Sequence, residues 1–93
     1  MKHIRYSAHL QARLALRKIE PEIPSQILRE AEHVFEDTAT GYEIAVAEVI
    51  YLGGKHLMLV AYEETKNEIV VITVHPLNEL DMKKKIKNGR WIS

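Results

Sequence analysis

Between Tyr42 and His75 the chain alternates apolar and polar residues with a period of two, and this stretch decides the fold. Tyr42–Leu52, Lys55–Glu64 and Glu68–His75 are three runs rich in Val, Ile, Tyr and Leu. Such side chains fit a pleated, half-buried surface. Gly53-Gly54 separates the first two runs, and glycine tolerates the positive φ of tight hairpin turns. Thr65-Lys66-Asn67 separates the second and third. The pattern predicts a meander of three antiparallel strands. Ile69–Val74 is apolar on both faces, which predicts an inner strand covered on one side by helices. Pro76 ends it.

Helical signals flank this block. Ser7 is an N-cap, since its hydroxyl can accept from a free first-turn amide. From Ala8 to Ile19 the chain is rich in helix formers and has no Gly or Pro. Ala8, Ala12, Ala15 and Ile19 give it a small-residue packing stripe. Pro21 and Pro24 stop it. Ser25 then caps a second helix, with Ile27, Leu28, Ala31, Val34 and Phe35 as its apolar face and Glu30, Glu32 and Glu36 on the other. Asp37–Gly41 reads as a loop. His3–Tyr6 alternates and reads as a short strand. Asn78 caps a last helix, with Glu79 and Asp81 in its first turn and Lys83–Lys87 in its last, as the helix dipole favours. The order is β-α-α-β-β-β-α. It predicts one α+β domain with two helices on one face of an antiparallel sheet. Phe35 and the apolar face of the second helix should pack on Val46, Leu59 and Val71.

A chain of 93 residues has room for one modest core. No apolar run approaches the roughly 20 residues of a membrane span, so no membrane is expected as a partner. The charged start has no apolar segment behind it, which argues against a secretory signal. There is no cysteine. Disulfides, thiol nucleophiles and thiolate metal ligands are thereby excluded, and a cytoplasmic location is expected. The five histidines show no metal spacing, so no metal is expected, and no Gly-rich phosphate loop is present; no cofactor is expected.

The net charge is zero, but the charges are segregated. Residues 1–18 carry five cations and no acid, and residues 83–93 carry five more. The intervening chain is acidic. Brought together, the two ends would form one cationic patch of the kind that binds phosphates; left apart, they are solvated faces. His9, Arg13 and Arg17 lie at i, i+4, i+8 on one flank of the first helix. An imidazole beside two guanidiniums is a phosphate site that can also exchange a proton. The alternative is a polar face paired with Glu30 and Glu32. His75, at a strand end, is a general base or a border residue. Lys83, Lys84, Lys85, Lys87 and Arg90 with Trp91 combine cations with an indole, as nucleic-acid binders do. Alternatively, Trp91 folds back onto the core.

Ser7-x-His9-x-x-x-Arg13-x-x-x-Arg17-x-Ile19, two helices, strands ending in Val71-Ile72-Thr73-Val74, and a basic tail with Gly89-Arg90-Trp91 resemble a family of small bacterial and archaeal proteins of unknown function. That family usually opens on a His-Ala-x-x-Arg-Met-x-x-Arg helix. Here Leu10 stands for the Ala and Leu14 for the Met. In element order the family is similar to the RelE/ParE and BrnT toxins of type II toxin–antitoxin systems. The resemblance implies a RelE-like fold over residues 1–93, a cognate antitoxin as partner, and a homodimer as a further option. For the nuclease members it implies metal-independent RNA cleavage, with His9 or His75 moving the proton and Arg13, Arg17, Lys83, Lys84, Arg90 and Trp91 holding RNA. A tyrosine often found at the end of RelE-type nucleases has no counterpart. ParE-like relatives imply the other class, a non-catalytic protein-interaction module.

Overall fold

In the computed structural model, which describes residues 2–93, the hairpin block becomes β3 (Glu43–Tyr51), β4 (Gly54–Glu64) and β5 (Glu68–Pro76). The β3–β4 turn sits one residue earlier than Gly53-Gly54. Its central residues are Leu52 and Gly53, both with positive φ, while Gly54 already pairs with Tyr51. Positive φ at both central positions is what a primed two-residue turn needs, because its twist matches the strands.

The remaining elements are β1 (His3–Tyr6), α1 (Ala8–Arg17), α2 (Ile23–Glu30), β2 (His33–Asp37), α3 (Glu79–Lys87) and β6 (Trp91–Ile92). The fold is α+β, as predicted, with two strands more than expected. All six strands form one sheet in the order β1-β5-β4-β3-β2-β6. It is mixed, not purely antiparallel: β1 runs parallel to β5, and α1, α2 and the strands β2–β4 lie between the two in the chain.

The second helix is shorter than its apolar spacing suggested. It ends at Glu30, and Val34 and Phe35 belong to β2. The Glu32 amide donates to the Val46 carbonyl at 2.8 Å, drawing the chain onto the sheet. Phe35 is buried, whereas Val34 points outward with 48% exposure. Pro24 begins α2 instead of preceding it, which suits a residue with no N–H to lose in the first turn. Ser25 caps nothing there; its hydroxyl bonds the Tyr6 hydroxyl at 2.9 Å.

Ser7 does cap α1, accepting from the Leu10 amide at 3.1 Å. Lys18, in the left-handed region at φ 55°, ends it, and the Ile19 amide returns to the Leu14 carbonyl. The buried residues of α1 are Leu10 and Leu14; the alanine stripe faces water. Leucine removes more apolar surface from water than alanine, so the helix rolls to bury it.

Leu10, Leu14, Ile23 and Ile27 cover one sheet face through Ala45, Ala47, Val49, Met58, Val60, Val71 and Val74. The opposite face carries a smaller cluster of Phe35, Ile44, Val46, Leu59 and Ala61, which Met82 of α3 and Trp91 of β6 cover. A β-bulge divides β5. Tyr62 pairs with Val71 but Ala61 pairs with Thr73, so Ile72 is an extra residue. Val71 and Val74 therefore both face α1, and Thr73 and His75 both face the other side.

This topology keeps the basic ends apart. β1 and β6 occupy opposite edges, five strand spacings or roughly 24 Å across the sheet. α1 and α3 lie on opposite faces. Lys2 and Arg5 are also matched locally, by Glu64 at 2.7 Å and Glu68 at 3.2 Å. The two cationic ends do not merge into one patch.

Candidate functional site

The open face of the sheet holds a cleft of about 450 Å³ between α3 and the β2–β3 turn. Its floor includes Leu59, Thr73 and His75, and its walls include Lys85, Arg90 and Trp91. One wall is built around Asp37, which is only 4% exposed. Asp37 Oδ1 accepts from the Ala39 and Thr40 amides at 2.9 and 3.3 Å and from Arg90 Nε at 3.1 Å. Its Oδ2 accepts from the Trp91 indole N–H at 3.3 Å. Burial pushes the Asp37 carboxyl up, but the Arg90 hydrogen bond, the two amides and the charge of Arg90 outweigh it and hold the carboxyl below its ordinary value. Thr38 completes the clasp: its amide donates to the Arg90 carbonyl at 2.7 Å and its hydroxyl at 3.0 Å.

Trp91 is 2% exposed. Its ring stacks on Phe35 at 5.6 Å, Phe35 stacks on His33 at 5.9 Å, and Lys85 Nζ lies 5.3 Å from the indole centroid. An indole with its N–H bonded and its ring packed is not a platform for an unpaired base. The expectation that Trp91 stacks on RNA is corrected: it is a wall of the cleft and an anchor for β6.

His75 reaches the cleft because of the bulge. Its Nδ1 lies 2.9 Å from the Pro76 carbonyl. A carbonyl only accepts, so Nδ1 carries the proton and Nε2 of the neutral ring keeps its lone pair. No hydrogen bond engages Nε2 among the described residues. The cleft thus holds a proton acceptor with two cations in its walls, Lys85 and Arg90, beside two carboxylates, Asp81 and the Asp37 that pairs with Arg90. That is the equipment for binding a phosphodiester and removing a neighbouring proton.

The other expected residues distribute differently. Lys85 follows buried Met82 by three residues and shares its side of α3; Lys83 and Lys84 point away. Lys84 instead borders a shallow hollow with Lys87 and Asn88. His9, Arg13 and Arg17 lie on α1, beyond the sheet, so His9 and His75 do not share a site. Among the described residues no ion pair joins Arg13 or Arg17 to Glu30 or Glu32; Arg17 Nη1 donates to the Val74 carbonyl at 3.5 Å. Sequence reasoning missed Asp37. The turn that follows it carries part of the signal, because an Asp often accepts from the amide two residues on.

Among the described residues, no three His, Asp or Glu side chains are grouped to hold a metal ion. Among the same residues no helix is long and apolar enough to cross a membrane. Comparison with protein-family models, with curated proteins and with solved structures gives no match.

Proposed function

We propose that this chain is a toxin-like protein of the RelE/ParE and BrnT type that binds RNA in the His75 cleft and cleaves it without a metal. The observation that carries the reading is His75: its Nδ1–H is held by Pro76, its Nε2 is free to accept, and Lys85 and Arg90 line the same cleft. The order of a strand, two helices, a four-stranded meander, a helix and a short last strand carries the strand, two helices and meander of that family resemblance, with β2 and β6 added. In the proposed reaction the RNA 2′-hydroxyl attacks the adjacent phosphorus and gives its proton to His75 Nε2. Lys85 and Arg90 stabilise the charge gathering on the phosphoryl oxygens. The bond to the 5′-oxygen breaks, that oxygen takes a proton from solvent, and a 2′,3′-cyclic phosphate remains.

The test is cleavage of a labelled single-stranded RNA by purified protein in EDTA. His75→Ala should slow it by about 10²–10⁴-fold, and an oligonucleotide lacking the 2′-hydroxyl should stay intact. Absence of RNA binding at low salt overturns the reading.

A second reading, a non-catalytic interaction module, rests on the edge of β2. β6 pairs only with Glu36 and Asp37, so His33–Phe35 present unpaired backbone outward. Such an edge accepts a strand from an antitoxin or a second copy. A Val34→Pro variant that loses a partner while keeping RNA cleavage would assign that edge to protein contact.

A further inference from the structure

We infer that single-stranded RNA does not end in the cleft but passes round the open edge of β5 onto the basic flank of α1, where Arg17 and then Arg13 hold successive phosphates. This rests on the RNA reading of the His75 cleft.

The edge is open because β1 is short. Its pairing with β5 stops at Tyr6 opposite Val71. Beyond that point, among the described residues, no strand flanks β5 on the side away from β4; the Ser7 hydroxyl reaches the Ile72 carbonyl and Arg17 the Val74 carbonyl. Pro76 has no N–H to offer, so a further strand is poorly received there. A chain of phosphates needs no backbone pairing and is not excluded by this.

α1 turns its cations toward that corner. One side of the helix, with Gln11, Ala15 and Lys18, borders a hollow shared with Tyr6 and Pro21. The other side carries His9, Arg13 and Arg17. Each step of four residues advances about 6 Å along the axis, so the three form a row leading away from the corner. Arg17 donates to the carbonyl of Val74, the residue immediately before His75. The cationic row and the cleft therefore meet across the thickness of one strand, Arg17 on one face and His75 on the other. No acidic side chain pairs with Arg13 or Arg17 among the described residues. Guanidiniums left without carboxylates are free to bind phosphates, which they do through paired N–H groups.

The experiment compares 2′-O-methyl RNAs that bind without being cut. One is short, about four nucleotides, and fills only the cleft; the other is about twelve and reaches α1. For the native protein the longer RNA should show a steeper loss of affinity with salt, by about 0.7 in slope per added phosphate contact. Arg13→Gln with Arg17→Gln should lower the slope for the longer RNA by about 1.4 and leave the shorter one unchanged. Equal slopes for the two RNAs on the native protein overturn the path without any variant. An unchanged slope for the longer RNA in a variant of native circular dichroism overturns it as well. In either case, retained binding of the short RNA leaves the cleft assignment standing. If neither RNA binds, both proposals fall together.

Discussion

The two faces of this sheet are made by the same strands and are finished in opposite ways. Under α1 and α2 the apolar residues of β3, β4 and β5 meet leucines and isoleucines in a continuous cluster. Under α3 the cover is a single helix contributing Met82, and the rest is closed by Trp91 from a two-residue strand. The closed face is held by area removed from water. The open face is held at one corner by polar bonds converging on Asp37, and what α3 leaves uncovered is the cleft. A protein of this size can thus place most of its apolar packing on one side of a sheet and a cleft on the other. The cost is that the open face depends on a few specific contacts.

That comparison can be broken at its anchors. Trp91→Ala should be the most damaging change, costing about 3–5 kcal/mol, because it empties a buried ring site. It also removes partners of Phe35, Lys85 and Asp37. A chemical melt showing a loss below 1 kcal/mol would mean that the open face is not anchored by β6. Ile27→Ala on the closed face should cost about 2–5 kcal/mol. Unlike the tryptophan variant, it should leave the proposed RNA binding intact when tested below its melting point.

Asp37→Ala should cost about 2–4 kcal/mol, since it strands two amides and an indole N–H. The same carboxylate predicts acid sensitivity. Its folded value is lowered, so the unfolded chain binds the proton more readily. Its stabilisation is complete above the ordinary carboxylate value of about 3.9 and is lost as pH falls from there through the lower folded value. Urea midpoints for the native chain and Asp37→Asn should converge below that range. The smallest effects sharpen the contrast within β2. Val34→Ala should change stability by about 0.5 kcal/mol or less, because the side chain is half exposed, whereas its neighbour Phe35→Ala should cost about 3–5 kcal/mol. Equal losses would restore the helical reading of that segment.

The meander was legible because period-two alternation over three long runs has few other interpretations. The caps Ser7 and Asn78 were legible because they act on amides two or three residues away. What escaped was long-range or ambiguous. Val34 and Phe35 fall at helical spacing from Ile27, and only the sheet's demand for a further strand separates the two interpretations. Trp91-Ile92 is too short to show any period. Arg90 meets Asp37 across 53 positions of sequence. His75 was singled out from the sequence, but not the face it would occupy. Lys85 was seen only as one of a run of lysines, although its spacing from Met82 marks it as the inward one.

The extra residue at Ile72 sets the phase of everything after it. A strand is a two-state register: an extra residue threaded into the alternation exchanges in for out downstream, and a bulge that absorbs it prevents the exchange. Because Ile69–Val74 is apolar on both sides, the local sequence tolerates either phase, and the exchange becomes consequential only at Thr73 and His75. Straightening the bulge with Ile72 kept in the alternation would turn Val74 to the open side and the imidazole into the closed core beneath α1, whereas deleting Ile72 together with the bulge would leave Val74, Thr73 and His75 facing as they do now. The chemistry proposed for the cleft therefore hangs on a count of one in the backbone. A lineage could lose the Ile72 codon with the site still facing the cleft, but could not straighten the strand around a retained Ile72 without turning the site inward.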